Sequence, residues 1–229
     1  MFLLGGPAFS GTTLLALLLN QGNVVCLDEP DFHNPEQSHR GIPFLQEMFP
    51  ERIFPERPMN ALGFEQAVRL IEDCERAIKP HQLGIKTCDW TFIEYAKVCK
   101  TAGHPVIAIV RDIRDALVRR LPDWVTEESL NQQYRVVWQH RELFDVWLRY
   151  EDLIANPESS MAKISVSLAY DFAVIKEWDG DGVPTQMLKL DRHDLLKTGT
   201  ISRSRVGVWR TTAKVFSARS HETAEMMGY

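Results

Sequence analysis

Phe2-Leu3-Leu4-Gly5-Gly6-Pro7-Ala8-Phe9-Ser10-Gly11-Thr12-Thr13-Leu14-Leu15-Ala16-Leu17-Leu18-Leu19 is the stretch that decides the fold. A short apolar run enters a glycine-rich turn, and a second apolar run, long enough for two helical turns, leaves it. Strand, turn and helix in that order aim backbone N–H groups and a helix N-terminus at an anion. Ser10, Thr12 and Thr13 add hydroxyl donors. The spacing Gly6-x4-Gly11 is that of a nucleotide phosphate loop, but Thr12 stands where such a loop carries its lysine. That counts against a kinase or ATPase working with Mg2+. The plainer alternative is a glycine turn that only caps a helix, and the position directly after a strand favours the anion.

Working outward, further short apolar runs suit buried strands: Val24–Leu27, Leu83–Ile85, Val106–Val110 and Val146–Leu148. Helical spacing lies between them. Ala67, Leu70, Ile71, Cys74 and Ile78 share one face, as do Met161, Ile164, Leu168 and Phe172. Thr126 before Glu127-Glu128 reads as a helix cap, with the helix expected to run on through Leu130, Tyr134, Val137, Arg141 and Phe144. This alternation predicts a three-layer α/β fold around a mainly parallel sheet, with the ligand at the carboxyl ends of the strands. At 229 residues, one domain spanning 1–229 is the expectation. Proline-rich residues 29–58, with a short helix near Phe44–Phe49, and the glycine-containing stretch 179–204 read as excursions that shape a pocket.

Charge enters at a second motif, Val110-Arg111-Asp112-Ile113-Arg114-Asp115-Ala116-Leu117, which follows a strand and opens a helix. Arginine presents a planar fork to phosphate oxygens and stays charged. A surface helix with mutually supporting Arg/Asp pairs is the alternative. Lys86 closes the run Leu83–Ile85, Arg149-Tyr150-Glu151-Asp152-Leu153 follows a late strand, and Ser202-Arg203-Ser204-Arg205-Val206-Gly207-Val208-Trp209-Arg210 forms a basic loop.

Together these segments resemble, in order, the motifs of the sulfotransferase family, which moves a sulfuryl group from 3′-phosphoadenosine 5′-phosphosulfate (PAPS) to an acceptor and releases adenosine 3′,5′-bisphosphate (PAP). Ser10-Gly11-Thr12-Thr13 matches the loop for the 5′-phosphosulfate, with Phe9 in the place of its usual basic residue. Arg111 matches the arginine on the 3′-phosphate. The family's serine eight positions on is here Arg119, and Arg203 and Arg205 match the closing basic loop. The resemblance implies that Lys86 stabilises the leaving group. Cys88 occupies the place of the histidine of the cytosolic small-molecule branch, so that branch's base does not carry over. Cys26-Leu27-Asp28-Glu29 resembles the tyrosine-protein branch and makes Glu29 the implied base. His33, whose intrinsic pKa suits the task, stands in reserve, followed by Asp28 and Asp89. The implied acceptor is a small molecule or metabolite bearing a hydroxyl, less readily an amine, and no metal is called for. A module that binds PAP or PAPS without transfer is the main rival, and a small-molecule kinase the weaker one.

Composition narrows the field. Acidic residues outnumber basic ones 31 to 26, and 45% of residues are hydrophobic, so a generally basic face for nucleic acid is not expected. The balance is uneven, because residues 189–219 hold eight Lys/Arg and two Asp/Glu. No apolar run approaches the roughly twenty residues of a bilayer span. Met1-Phe2-Leu3-Leu4 enters glycines without a basic leader. Four scattered cysteines lack any Cys-x-x-Cys pair and read as reduced thiols. A cytoplasmic protein without membrane or nucleic-acid partners is expected, and oligomeric state is not legible.

Overall fold

The computed structural model describes residues 1–30, 41–56, 60–118, 121–123, 125–174 and 206–229. Five strands form one parallel sheet: β1 (Phe2–Gly6), β2 (Val24–Asp28), β3 (Gln82–Cys88), β4 (Val106–Val110) and β5 (Val146–Arg149), in the order β2-β3-β1-β4-β5. Each grows from one of the five apolar runs. Such strands are buried on both faces, and β1 and β4 are buried at every position.

The helices are α1 (Thr12–Leu19), α2 (Ile42–Met48), α3 (Phe64–Ala77), α4 (Asp89–Thr101), α5 (Ile113–Leu117), α6 (Glu127–Gln139), α7 (Tyr150–Ala155), α8 (Pro157–Leu168) and α9 (Ala218–Met226). Side chains alternate across the sheet, so Leu3, Ile85 and Ala108 enter the core shared with α2 to α6 and α9. Phe2, Leu4, Ile107 and Ile109 enter the opposite core with α1, α7 and α8. This is the three-layer α/β architecture expected from the alternation. The path across the sheet reverses once, between β1→β2 and the later steps, and the covering helix changes face with it, as right-handed crossovers require. The exits of β1 and its neighbours therefore diverge, opening a crevice at the carboxyl edge.

Local chemistry sets the boundaries. Leu14 to Leu19 are each at most 3% exposed, which suits a helix that is apolar all round. Thr126 caps α6 by accepting the Ser129 N–H at 3.0 Å. The expected continuation of α6 through Arg141 and Phe144 is corrected. The helix stops at Gln139 and Arg141–Leu143 form a 3-10 turn. Phe144 stacks on Phe92 and Trp147, at 5.2 and 5.9 Å between ring centroids, and this pulls the chain into β5. Phe172 likewise lies beyond α8, which ends at Leu168 with its cap Ala169 in the left-handed region, yet it still reaches the core. The short helix near Phe44 is α2, and the stretch 179–204 lies outside the described residues.

Candidate active site

The first loop is shaped by steric necessity. A Cβ on Gly6 would lie 2.2 Å from the Ile109 carbonyl oxygen, so the strand can turn there only without a side chain. Gly11 has φ 101° and sits against Tyr150, where a Cβ would come within 2.3 Å of the ring. Gly11 is the N-cap of α1, which carries no acidic residue in its first turn, leaving its dipole open to an anion. Phe9 adopts φ 64°, uncommon for a residue with a side chain, and packs half-buried against the core. Ser10 is fully buried, and its Oγ takes no hydrogen bond from the described residues. Thr12 Oγ1 and Cys88 Sγ are 3.4 Å apart, and Thr13 is half-buried. Gln133 of α6 accepts the Ala8 N–H at 3.0 Å and steadies the turn.

Lys86 reaches the same edge through register. It pairs with Asp28 on β2 and Leu4 on β1, and alternation puts it on the α1 face with Cys88. Its side chain is only 3% exposed, so it is no solvated strand-end lysine. Nζ lies 2.8 Å from Asp28 Oδ1 and 2.7 Å from Glu29 Oε1. Burial alone would push the ammonium down; the carboxylates of Asp28 and Glu29, joined by Cys88 only once its thiol ionises, outweigh it and hold Lys86 protonated well above its ordinary value. Burial lifts the Cys88 thiol to about 12 despite the nearby Lys86, so it is neutral. Glu29 has φ 49°, donates its N–H to the Lys86 carbonyl at 2.8 Å, and its side chain is 41% exposed. Strain of this kind in a non-glycine residue concentrates at functional sites. Asp28 and Glu29 therefore clasp a buried cation instead of forming a solvated acidic loop.

Arg111, at the end of β4, is 3% exposed and lies 4.6 Å from the Tyr150 ring centroid. The alternative of a surface helix is corrected here, since Asp112, Arg114 and Asp115 are also buried. Tyr134 of α6 is fully buried near this cluster, and its hydroxyl takes no hydrogen bond among the described residues. Glu151 accepts the Asp112 N–H at 3.0 Å and the Tyr229 O–H at 2.7 Å, and burial raises its carboxyl above the usual range.

The carboxyl edge thus brings together Ser10, Gly11, Thr12, Lys86, Glu29 and Arg111. His33, Arg119, Arg203 and Arg205 lie outside the described residues, as does the side chain of Asp89. Tyr134, Gln133 and the placement of Tyr150 under Arg111 escaped sequence reasoning. Tyr134 sits in an apolar stripe with Leu130 and Val137 and reads as core, while Gln133 acts across 125 positions.

Comparison with solved structures identifies the fold. The sulfotransferase domain from the curacin biosynthetic pathway matches over 100% of this chain and 97% of its own, with TM-score 0.68 and 16% identity. The sulfotransferase domain of the Synechococcus PCC 7002 olefin synthase matches over 100% and 94%, with TM-score 0.63 and 15% identity. Mouse sulfotransferase SULT7A1, solved with PAP, aligns over 98% and 82% with TM-score 0.48 and 14% identity. No family model and no curated protein sequence matches. The chain has the sulfotransferase fold.

Proposed function

We propose that this chain is a single-domain, PAPS-dependent sulfotransferase that transfers a sulfuryl group to a hydroxyl, or less readily an amine, of a small molecule without a metal. One observation carries this reading: a glycine turn at a helix N-terminus, a buried protonated lysine and a buried arginine meet at one sheet edge. The buried hydroxyls of Ser10 and Tyr134, which take no hydrogen bond among the described residues, fit a polyanionic nucleotide, because a buried donor without a partner is costly. The fold shared with sulfotransferase domains supports it.

In this proposal the backbone of Ser10–Thr13, with Phe9 flanking, holds the donor's 5′ end. Arg111 holds the 3′-phosphate with Arg119, Arg203 and Arg205. Glu29 takes the acceptor's proton while the acceptor oxygen bonds to sulfur and the bond from sulfur to the bridging oxygen breaks, releasing PAP. Lys86, with three donors, shifts one from Glu29 to the departing oxygen and stabilises its charge. His33 is the reserve base. Phe9 supplies no charge, so Lys86 carries more of the electrostatic stabilisation. A cytoplasmic setting belongs to the same proposal; among the described residues no helix is long and apolar enough to cross a membrane.

The deciding experiment incubates the chain with radiolabelled PAPS and a library of alcohols, phenols and amines, beside calorimetry with PAP. Transfer together with PAP binding supports the enzyme. PAP binding without transfer to any acceptor favours the binding module, and absence of PAP binding rejects both.

A further inference from the structure

Five consecutive residues, Arg111 to Asp115, place four charged side chains in the interior at 3, 5, 8 and 2% exposure. Buried charges need specific partners. Asp112 and Arg114 supply each other's: Asp112 Oδ1 accepts the Arg114 N–H at 3.0 Å and its Nε at 2.9 Å, and Oδ2 accepts Nη2 at 2.8 Å. The Arg114 guanidinium also lies 3.8 Å from the Trp209 ring centroid. Asp115 differs. Its Oδ2 accepts the Gly207 N–H at 2.6 Å and its Oδ1 the Trp209 N–H at 2.9 Å, contacts spanning 92 and 94 positions. The same Oδ2 lies 4.0 Å from Arg111 Nη2.

Among the described residues, little else holds this turn. No residue of Val208–Thr211 is buried, so hydrophobic burial contributes little there. Beyond Asp115 and the stacked Arg114, the neighbouring anchor is Lys214 Nζ, which donates to the Leu117 carbonyl at 2.5 Å, again at the end of α5. A carboxylate beside an arginine that grips an anion opposes that grip, so its presence calls for a compensating benefit. Fastening a distant turn at the arginine is such a benefit.

We propose that Asp115 is a positioning residue: it locks the Gly207–Trp209 turn onto Arg111, and selective recognition of a 3′-phosphate depends on that lock. The inference rests on the proposed donor role of Arg111 and deepens it. Asp115 does not touch the nucleotide. It orients the arginine and the turn that do the recognition.

Calorimetry on the full chain with PAP and with adenosine 5′-monophosphate tests this, because the two ligands differ in the 3′-phosphate. The wild type binds PAP more tightly. Asp115→Asn keeps one acceptor oxygen but loses the second and the charge. It is expected to reduce the PAP preference by about tenfold or more while the monophosphate affinity moves within about threefold. Amide exchange of residues 206–211 should rise alongside, and Asp115→Glu should recover part of the preference. Trp209→Leu, on the solvent side, gives a smaller loss in the same direction and serves if the buried variant folds poorly. An unchanged preference in both Asp115→Asn and Trp209→Leu overturns the inference. A wild type with no preference for PAP overturns the donor role of Arg111 itself.

Discussion

At the β2–β3 end of the carboxyl edge, one buried lysine is held by two carboxylates, one of them 41% exposed on a strained backbone. At the β4 end the arrangement is inverted: buried carboxylates are pinned by backbone N–H groups and by arginines stacked on aromatic rings. The first cluster can rearrange, because the Glu29 side chain is 41% exposed and can turn from Lys86 toward another partner. The second is fastened through contacts that cross more than 90 positions of the chain. The difference matches the division of labour proposed for them, since transfer needs a cation and a base that change partners, while recognition of a nucleotide needs preorganised groups.

The strongest way to break this comparison is Lys86→Ala. It should lower turnover by about 100- to 1,000-fold, the usual cost of losing one preorganised stabilising group, with PAP affinity held within about threefold. Full turnover in that variant removes Lys86 from the chemistry. Arg111→Ala should do the reverse at the other end, weakening PAP by about 10- to 100-fold in calorimetry. If it spares PAP and abolishes turnover, the two clusters have been assigned the wrong way round. Gly11→Ala, between them, meets both the Tyr150 ring and a φ of 101°, and should destabilise the chain by about 1–3 kcal/mol in urea titration.

Two smaller effects sharpen the electrostatics. Burial would raise the Glu127 carboxyl, but hydrogen bonds from Ser217 and Ser220 outweigh it and hold it below the usual range. Its stabilising contribution is therefore present above the ordinary carboxylate value and fades as pH falls through the lowered one. Glu127→Gln should lower Tm by a few degrees at neutral pH and by less in acid, without altering PAP affinity. Lys86 is raised instead, so its contribution is complete below the ordinary lysine value and fades only as pH climbs through the higher one. Turnover should accordingly show no alkaline limb from Lys86 up to about pH 9. A sharp fall below that pH, absent in Lys86→Arg, contradicts the geometry around Nζ.

Sequence reasoning reached most of the framework. Five apolar runs became five strands, and the turn at Gly6–Thr13 links β1 to α1. Phe144 marks a limit, because helical spacing carried the reading past Gln139 while its stacking on Phe92 and Trp147 bent the chain toward β5. Tyr134 marks another. A tyrosine in an apolar stripe looks like packing, and only its lack of a hydrogen-bond partner among the described residues, beside Arg111, singles out its hydroxyl.

What the sequence determined by itself is therefore local and periodic: which runs bury as strands, where glycine permits the turn, and that Lys86 lies near, and Arg111 just after, the carboxyl end of its strand. Tertiary structure decided which charges meet. Lys86 reaches Asp28 and Glu29 because β2 and β3 pair in one register, and Asp115 reaches Gly207 because the chain returns to α5 after 92 positions. Periodicity encodes which face a residue takes, whereas a contact between distant segments depends on how the whole core packs.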